Sequence, residues 1–271
     1  MARASRQLAL EFRTWGGVRA RAGRPPNGTR AGVSHLRRPS HSQHHPLHVT
    51  LRVQQGVSSL REHSLFLAVR KALAKGKQHF GFSLVHFSIQ RDHLHLIAEA
   101  SDRRALSRGV QGLSIRVARA VNRQLWRKGR LFADRYHARA LKTPREVRFA
   151  LRYVLLNARK HARASERSRT LPRRASPRSA APHWLPFDTG MAGIPSGFVD
   201  SRSSAPWFRG FSRPEELAFG AQQARDEWLR TSGSAEPPVV PPDCWLLRAG
   251  QQRAGPIDSD AVPGGGSTRR S

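Results

Sequence analysis

The chain has 271 residues, and its 48 Lys and Arg against 18 Asp and Glu give a formal charge of +30, which points to a polyanionic partner without separating DNA from RNA. Its one cysteine, Cys244, excludes an internal disulfide and a cysteine-based zinc site, and fits a reducing compartment. The N-terminus lacks an uninterrupted apolar core and no run of about 18 apolar residues occurs anywhere, so a cytoplasmic protein that does not span a membrane is expected.

Residues 1–45 are rich in Arg, Gly, Pro, Ser and His without periodicity, and are expected to form a disordered basic arm. From 46 to 163 the apolar pattern is regular and predicts one domain. Residues 44–162 hold 24 Lys and Arg against 6 Asp and Glu, leaving +18, so the basic character is not confined to the arms. The remainder, 164–271, reads as an Arg/Pro/Ser-rich and mostly irregular tail. Short helices are expected in it near 214–230 and an ordered patch at 243–249. Its tryptophans, Trp184, Trp207, Trp228 and Trp245, could cover the domain or stack on unpaired bases.

Within the domain the first expected strand, 47–53, alternates Leu47, Val49, Leu51 and Val53 against His48, Thr50 and Arg52. A helix over 61–78 follows, with Leu65, Val69, Ala72, Leu73 and Gly76 at helical spacing. Strand 82–90 alternates Val85, Phe87 and Ile89 against His86, Ser88 and Gln90. Strand 93–100 alternates Leu94, Leu96, Ala98 and Ala100 against His93, His95, Ile97 and Glu99. The helix over 103–126 carries an apolar stripe of Leu106, Val110, Leu113, Val117 and Ala120. On another face lies a ridge of Arg116, Arg119, Arg123 and Arg127, either a solvated surface or a phosphate contact.

A further strand contains Tyr136, and Thr143-Pro144-Arg145-Glu146 then starts the last helix with a capping box. The order strand, helix, strand, strand, helix, strand, helix predicts an α+β, ferredoxin-like split βαβ domain. Its antiparallel sheet has four to five strands, with helices on both faces once the last one is added.

His93 and His95 are two residues apart on one strand, so they share a face with Cα atoms about 6.5–7 Å apart and could converge on one ion. Taken alone, the pair could equally be exposed sheet histidines. On the last helix, Val147, Leu151, Val154 and Ala158 form the apolar stripe. Tyr153 and Asn157, four apart, fall far round the helix from it and look placed for a joint task, although Tyr153 could also fill a gap between helix and sheet.

The run Gln90-Arg91-Asp92-His93-Leu94-His95-Leu96 resembles the His-hydrophobic-His motif of the single-tyrosine transposases of bacterial insertion sequences. The stretch from Phe132 through Thr143-Pro144-Arg145-Glu146 to Tyr153-Val154-Leu155-Leu156-Asn157 resembles their later segment, most narrowly that of the REP-associated tyrosine transposases. The resemblance covers about 46–163. It implies a metal-dependent transposase that cleaves and rejoins single-stranded, hairpin- or repeat-bearing DNA through a 5′-phosphotyrosine. Tyr153 would be its nucleophile, His93, His95 and Asn157 the ligands of Mg²⁺ or Mn²⁺, and the setting a bacterial nucleoid, with a homodimer allowed.

Arg116, Arg119, Arg123, Arg127, Arg152 and Lys160 are the expected DNA contacts. Asp92 departs from the Asn that relatives commonly carry before the pair; its carboxylate would repel the scissile phosphate or add a ligand. His48 and His86 share the polar face by parity and are alternative or supporting groups, and Tyr136 is the other tyrosine. Zinc remains open on ligand type. A non-catalytic nucleic-acid-binding module and a domesticated repeat-processing endonuclease are the competing functions.

Overall fold

The computed structural model describes residues 38–157, 200, 202–212 and 214–258. Leu47–Arg52 (β1), Gln78–His79 (β2), Phe82–Ile89 (β3), His93–Ala100 (β4) and His137–Ala140 (β5) form one antiparallel sheet in the order β2-β3-β4-β1-β5. Setting aside the two-residue β2, this is the split βαβ order expected from the sequence. β1 pairs with β4 in the register Thr50 opposite His95 and Arg52 opposite His93, which fixes the histidine pair at the C-terminal end of β1.

The two sides of the sheet bury separate cores. Leu47, Val49 and Leu51 of β1 and Leu94, Leu96 and Ala98 of β4 face His63–Ala74 (α1) and Arg103–Gln124 (α2). Asp102 caps α2 by accepting from the Ala105 N–H at 2.8 Å. Gly109, an unfavourable choice inside a helix, is explained by closeness: a Cβ there would lie 2.1 Å from the Phe82 ring. On the other side, Val85 and Ile97 pack with Val147, Leu151 and Val154 of Pro144–Leu155 (α3). Thr143 and Glu146 complete the capping box, with Thr143 Oγ1 accepting from Glu146 N and Glu146 Oε2 from Thr143 N, each at 3.2 Å.

Strand alternation assigns Val85 to the face of Phe87 and Ile89, and the structure puts it on the opposite one. The register slips between Leu84 and His86, so an extra residue in β3 turns Val85 toward α3 while Leu84 and Phe87 both face α2.

Residues 202–212 and 214–258 are packed on the domain instead of trailing from it. Ser203 forms a bridge with Ser88, and three backbone hydrogen bonds cover the outer edge of β3 where β2 stops: Ile89 N to Arg202 O, Ser204 N to Phe87 O and Val240 N to Leu84 O, at 2.9–3.0 Å. An edge otherwise open to strand addition is thereby closed. Pro214–Ser232 (α4) and Trp245–Arg248 (α5) lie where helical and ordered segments were expected. The buried Glu99 carboxylate accepts from Asp243 N and Cys244 N at 3.0 Å, fastening α5 to β4. Trp228 is buried, Trp207 packs against the larger core and Trp245 is half-exposed, while Trp184 lies outside the described residues. Of the expected N-terminal arm, Arg38 stacks 3.7 Å over the Tyr136 ring.

His86 is buried beneath this C-terminal segment, with Nδ1 3.1 Å from Ser204 Oγ and its ring edge-on to Phe208. Burial pushes its pKa from 6.5 down to about 4. The unfolded chain takes up that proton at the ordinary pKa and the folded chain only near the lowered one, so stability present above the ordinary value is lost as pH falls toward the lower one. In a pH series of thermal melts His86 should account for up to about 3 kcal/mol of the wild type's loss across that window, and His86→Gln should flatten that part of the profile.

Candidate active site

The face of β4 toward α3 carries His93 and His95, and α3 lays Tyr153 against them. The Tyr153 ring meets the His95 ring edge-on at 4.9 Å between centroids, and the His93 and His95 rings are 4.6 Å apart at 82°. His48, one strand over, completes the cluster at 5.2 Å from His95 and 6.0 Å from Tyr153. Parity on β1 and β4 puts the imidazoles on one side of the sheet, and the off-stripe position of Tyr153 on α3 turns the phenol onto them.

The hydrogen bonds decide which ring nitrogens are presented. His93 Nδ1 lies 2.7 Å from Asp92 Oδ1; an ionised carboxylate only accepts, so Nδ1 carries the proton and the lone pair is on Nε2. For His95, Nδ1 is 3.2 Å from both His48 Nε2 and Thr50 Oγ1, which likewise leaves Nε2 as the nitrogen turned away from the sheet's own contacts. Burial, with His137 and Arg139 nearby, drives His48 down to about 4, so it is neutral and able to accept from His95. Asp92 is also 3.8 Å from the Arg52 guanidinium. Arg52 and His93 hold its carboxylate below the usual range against the opposing effect of partial burial. Asp92 is therefore a buttress for His93.

Tyr153 is half-buried, and burial raises its pKa above the ordinary phenol value. The phenolate is thus scarcer here than on an exposed tyrosine.

The expected side-by-side arrangement of Asn157 with Tyr153 assumes one continuous helix through both residues. α3 ends at Leu155, and its C-cap Leu156, at φ −109° and ψ 17°, leaves the helical path, so 100° per residue no longer applies at Asn157. The side chain is fully buried, and among the described residues neither Oδ1 nor Nδ2 has a hydrogen-bond partner. A buried amide with both ends unsatisfied is costly and calls for a partner.

Residues 41–155 match the family model described as "Transposase IS200 like". Over this segment, less than half of the chain, the sequence is similar to the IS200-like transposases. Among solved structures the chain is similar to one described as "Structure of the REP associates tyrosine transposase bound to a REP hairpin". The identity is 18% and the TM-score 0.40, covering 47% of this chain and 74% of that one. No curated protein sequence matches.

The fold separates the other expected residues. Tyr136 lies on the far side of the sheet, its hydroxyl 3.1 Å from Ser107 Oγ of α2. Arg116, Arg119 and Arg123 are exposed on α2, whose core contacts are on the sheet face opposite Tyr153. Arg127 donates to the Arg130 carbonyl at 3.0 Å and so braces its own loop. Arg152 is half-buried beside Tyr153, and Lys160 lies outside the described residues. Thr50, which no motif marks, was accessible from the sequence only through register, since it stands directly opposite His95.

Proposed function

We propose that the transposase domain cleaves and rejoins single-stranded, hairpin- or repeat-bearing DNA with Tyr153 as nucleophile. The observation that carries this reading is the Tyr153 ring seated 4.9 Å from His95 on the face that also carries His93. In the forward step Tyr153 Oη bonds to phosphorus as the bond from phosphorus to the 3′ oxygen breaks. The phenol proton is balanced by protonation of the departing 3′ oxygen, and the products are a 5′-phosphotyrosine and a 3′-OH. The ester preserves the bond energy, so a 3′-OH reverses the step without a nucleotide cofactor.

The donor set fits a divalent cation. His93 donates Nδ1–H to Asp92 and leaves Nε2 with the lone pair, the His95 tautomer that donates Nδ1–H to His48 would do the same, and Asn157 supplies a buried amide oxygen in want of a partner. Among the described residues no group of three or more His, Cys, Asp and Glu could hold a metal, so these neutral ligands are the ones available, and they leave the charge free for a phosphate. Bound there, Mg²⁺ or Mn²⁺ would polarise the phosphate and favour the phenolate that burial otherwise suppresses. Asp92 holds the His93 ring in the required tautomer. Asp92→Ala should weaken Mn²⁺ binding about 10–100-fold by calorimetry without DNA, and Asp92→Asn, whose amide oxygen still accepts, should lose less.

The direct test is a denaturing gel for a covalent adduct between the protein and a labelled single-stranded hairpin oligonucleotide. Formation in Mn²⁺ and its disappearance in EDTA are expected. Binding without an adduct in any metal would favour a non-catalytic nucleic-acid-binding module.

A further inference from the structure

The C-terminal segment builds one wall of a groove whose other wall is α3, and the groove's lining is made for a nucleic-acid strand. It is an open cleft of about 480 Å³ between Pro144–Arg152 and Gly250–Asp258. Four arginines line it, Arg145, Arg148, Arg152 and Arg253, against one carboxylate, Asp258. Phe149 also lines it and is 53% exposed, the only large apolar side chain of α3 so displayed.

These side chains differ in task. Arg148 reaches across the groove and donates to the carbonyls of Gly255 and, at 2.7 Å, Pro256, so it ties the two walls together. Burial and the neighbouring Arg152 lower its pKa, the sign of cations crowded into one place. Arg145 and Arg253 are exposed and make no ion pair among the described residues. Each instead lies over an aromatic ring, Arg145 at 5.5 Å from Phe149 and Arg253 at 4.8 Å from Trp245. Two unneutralised guanidiniums held beside an exposed phenyl ring are the two elements of a single-strand platform: cations for phosphates and a π face for a base. A duplex offers no unstacked base to Phe149, and an acidic peptide would leave the ring without a use.

The groove runs along the helix that carries the proposed nucleophile. Arg145, Phe149 and Arg152 are spaced four and three apart and share one side of α3, and Phe149 is one helical turn before Tyr153, an (i, i+4) neighbour. We infer that this groove binds the single-stranded DNA flanking the cleavage position, with Phe149 stacking a base and Arg145 and Arg253 neutralising phosphates. The assignment of the flank to a cleavage position rests on Tyr153 as nucleophile; the single-strand binding itself does not.

The test is fluorescence anisotropy of the full chain with two probes, a labelled oligothymidine of about 12 nucleotides and a blunt-ended DNA hairpin, alongside the adduct gel. Phe149→Ala and the double variant Arg145→Ala/Arg253→Ala should each weaken oligothymidine binding about tenfold, the double variant with a shallower salt dependence, and leave the blunt hairpin within about twofold. Phe149→Trp should restore binding. Because the three side chains are exposed, melting temperatures should not move. Unchanged oligothymidine affinity in both variants, or equal losses on both probes, would overturn the groove. A wild type that binds oligothymidine through these residues yet never forms an adduct would keep the groove and remove the phosphoryl-transfer reading. An adduct that forms equally in wild type and variants would do the reverse.

Discussion

Tyr153→Phe is expected to lower covalent adduct formation on single-stranded DNA by at least about 10³-fold, to the background of the gel, while DNA affinity stays within about twofold. The substitution removes one hydroxyl and keeps the ring that packs edge-on against His95, so fold and groove are left as they are. His95→Ala makes the necessary contrast. It takes away a ring that contacts Tyr153, His93 and His48 at once, so loss of activity there could come from a displaced tyrosine as readily as from a lost ligand. A Tyr153→Phe protein that still forms the adduct would transfer the role to Tyr136. The structure gives that residue no support, since its hydroxyl points to Ser107 on the other face of the sheet.

Much of this site could be read from local sequence because local rules build it. Alternation along β1 and β4 put His48, Thr50, His93 and His95 on one face, and the register of the two strands confirms it. The capping box at Thr143 and Glu146 fixed where α3 begins, and with it the rotation that brings Tyr153 to the sheet. The failures are non-local or lie at the ends of regular elements. No alternation rule foresees the slip between Leu84 and His86 that turns Val85 over, because a bulge is an interruption of alternation. Helical spacing carries no further than the C-cap Leu156, so it does not set the direction of the Asn157 side chain.

The basic ridge of α2 was legible as a ridge, but which sheet face it shares with Tyr153 depends on how α2 and α3 pack, and they pack on opposite sides. The departure at Asp92 became intelligible only with side-chain distances, which show it spent on His93 and Arg52. The C-terminal segment is the largest omission. Its attachment depends on pairs such as Ser88 with Ser203, too far apart in sequence for any periodicity to announce them.

That attachment has a keystone whose removal should have a large and asymmetric effect. The Arg70 side chain on α1 is completely buried, between the rings of Phe66 at 4.5 Å and Trp228 at 5.0 Å, and it donates to Glu227 at 3.3 Å and Thr231 at 3.1 Å on α4. Burial lowers its pKa and Glu227 opposes that shift, but a guanidinium does not give up its proton in a folded protein. The charge must be paired where it stands, and Nε already lacks a partner among the described residues. Glu227 is the more exposed member, at 23%, yet its loss should cost more. Glu227→Ala strands a buried cation and should destabilise the chain by about 3–5 kcal/mol in urea titrations, with α4 becoming open to proteolysis. Arg70→Met removes the charge together with the need for its partner, fills the space between the rings, and leaves a carboxylate that water can reach; a loss of about 1–2 kcal/mol is expected. Arg70→Met combined with Glu227→Leu should be less destabilised than Glu227→Ala alone. If Arg70→Met proves the costlier of the single changes, the ion pair itself, and not the stranded charge, is what fastens α4 to α1.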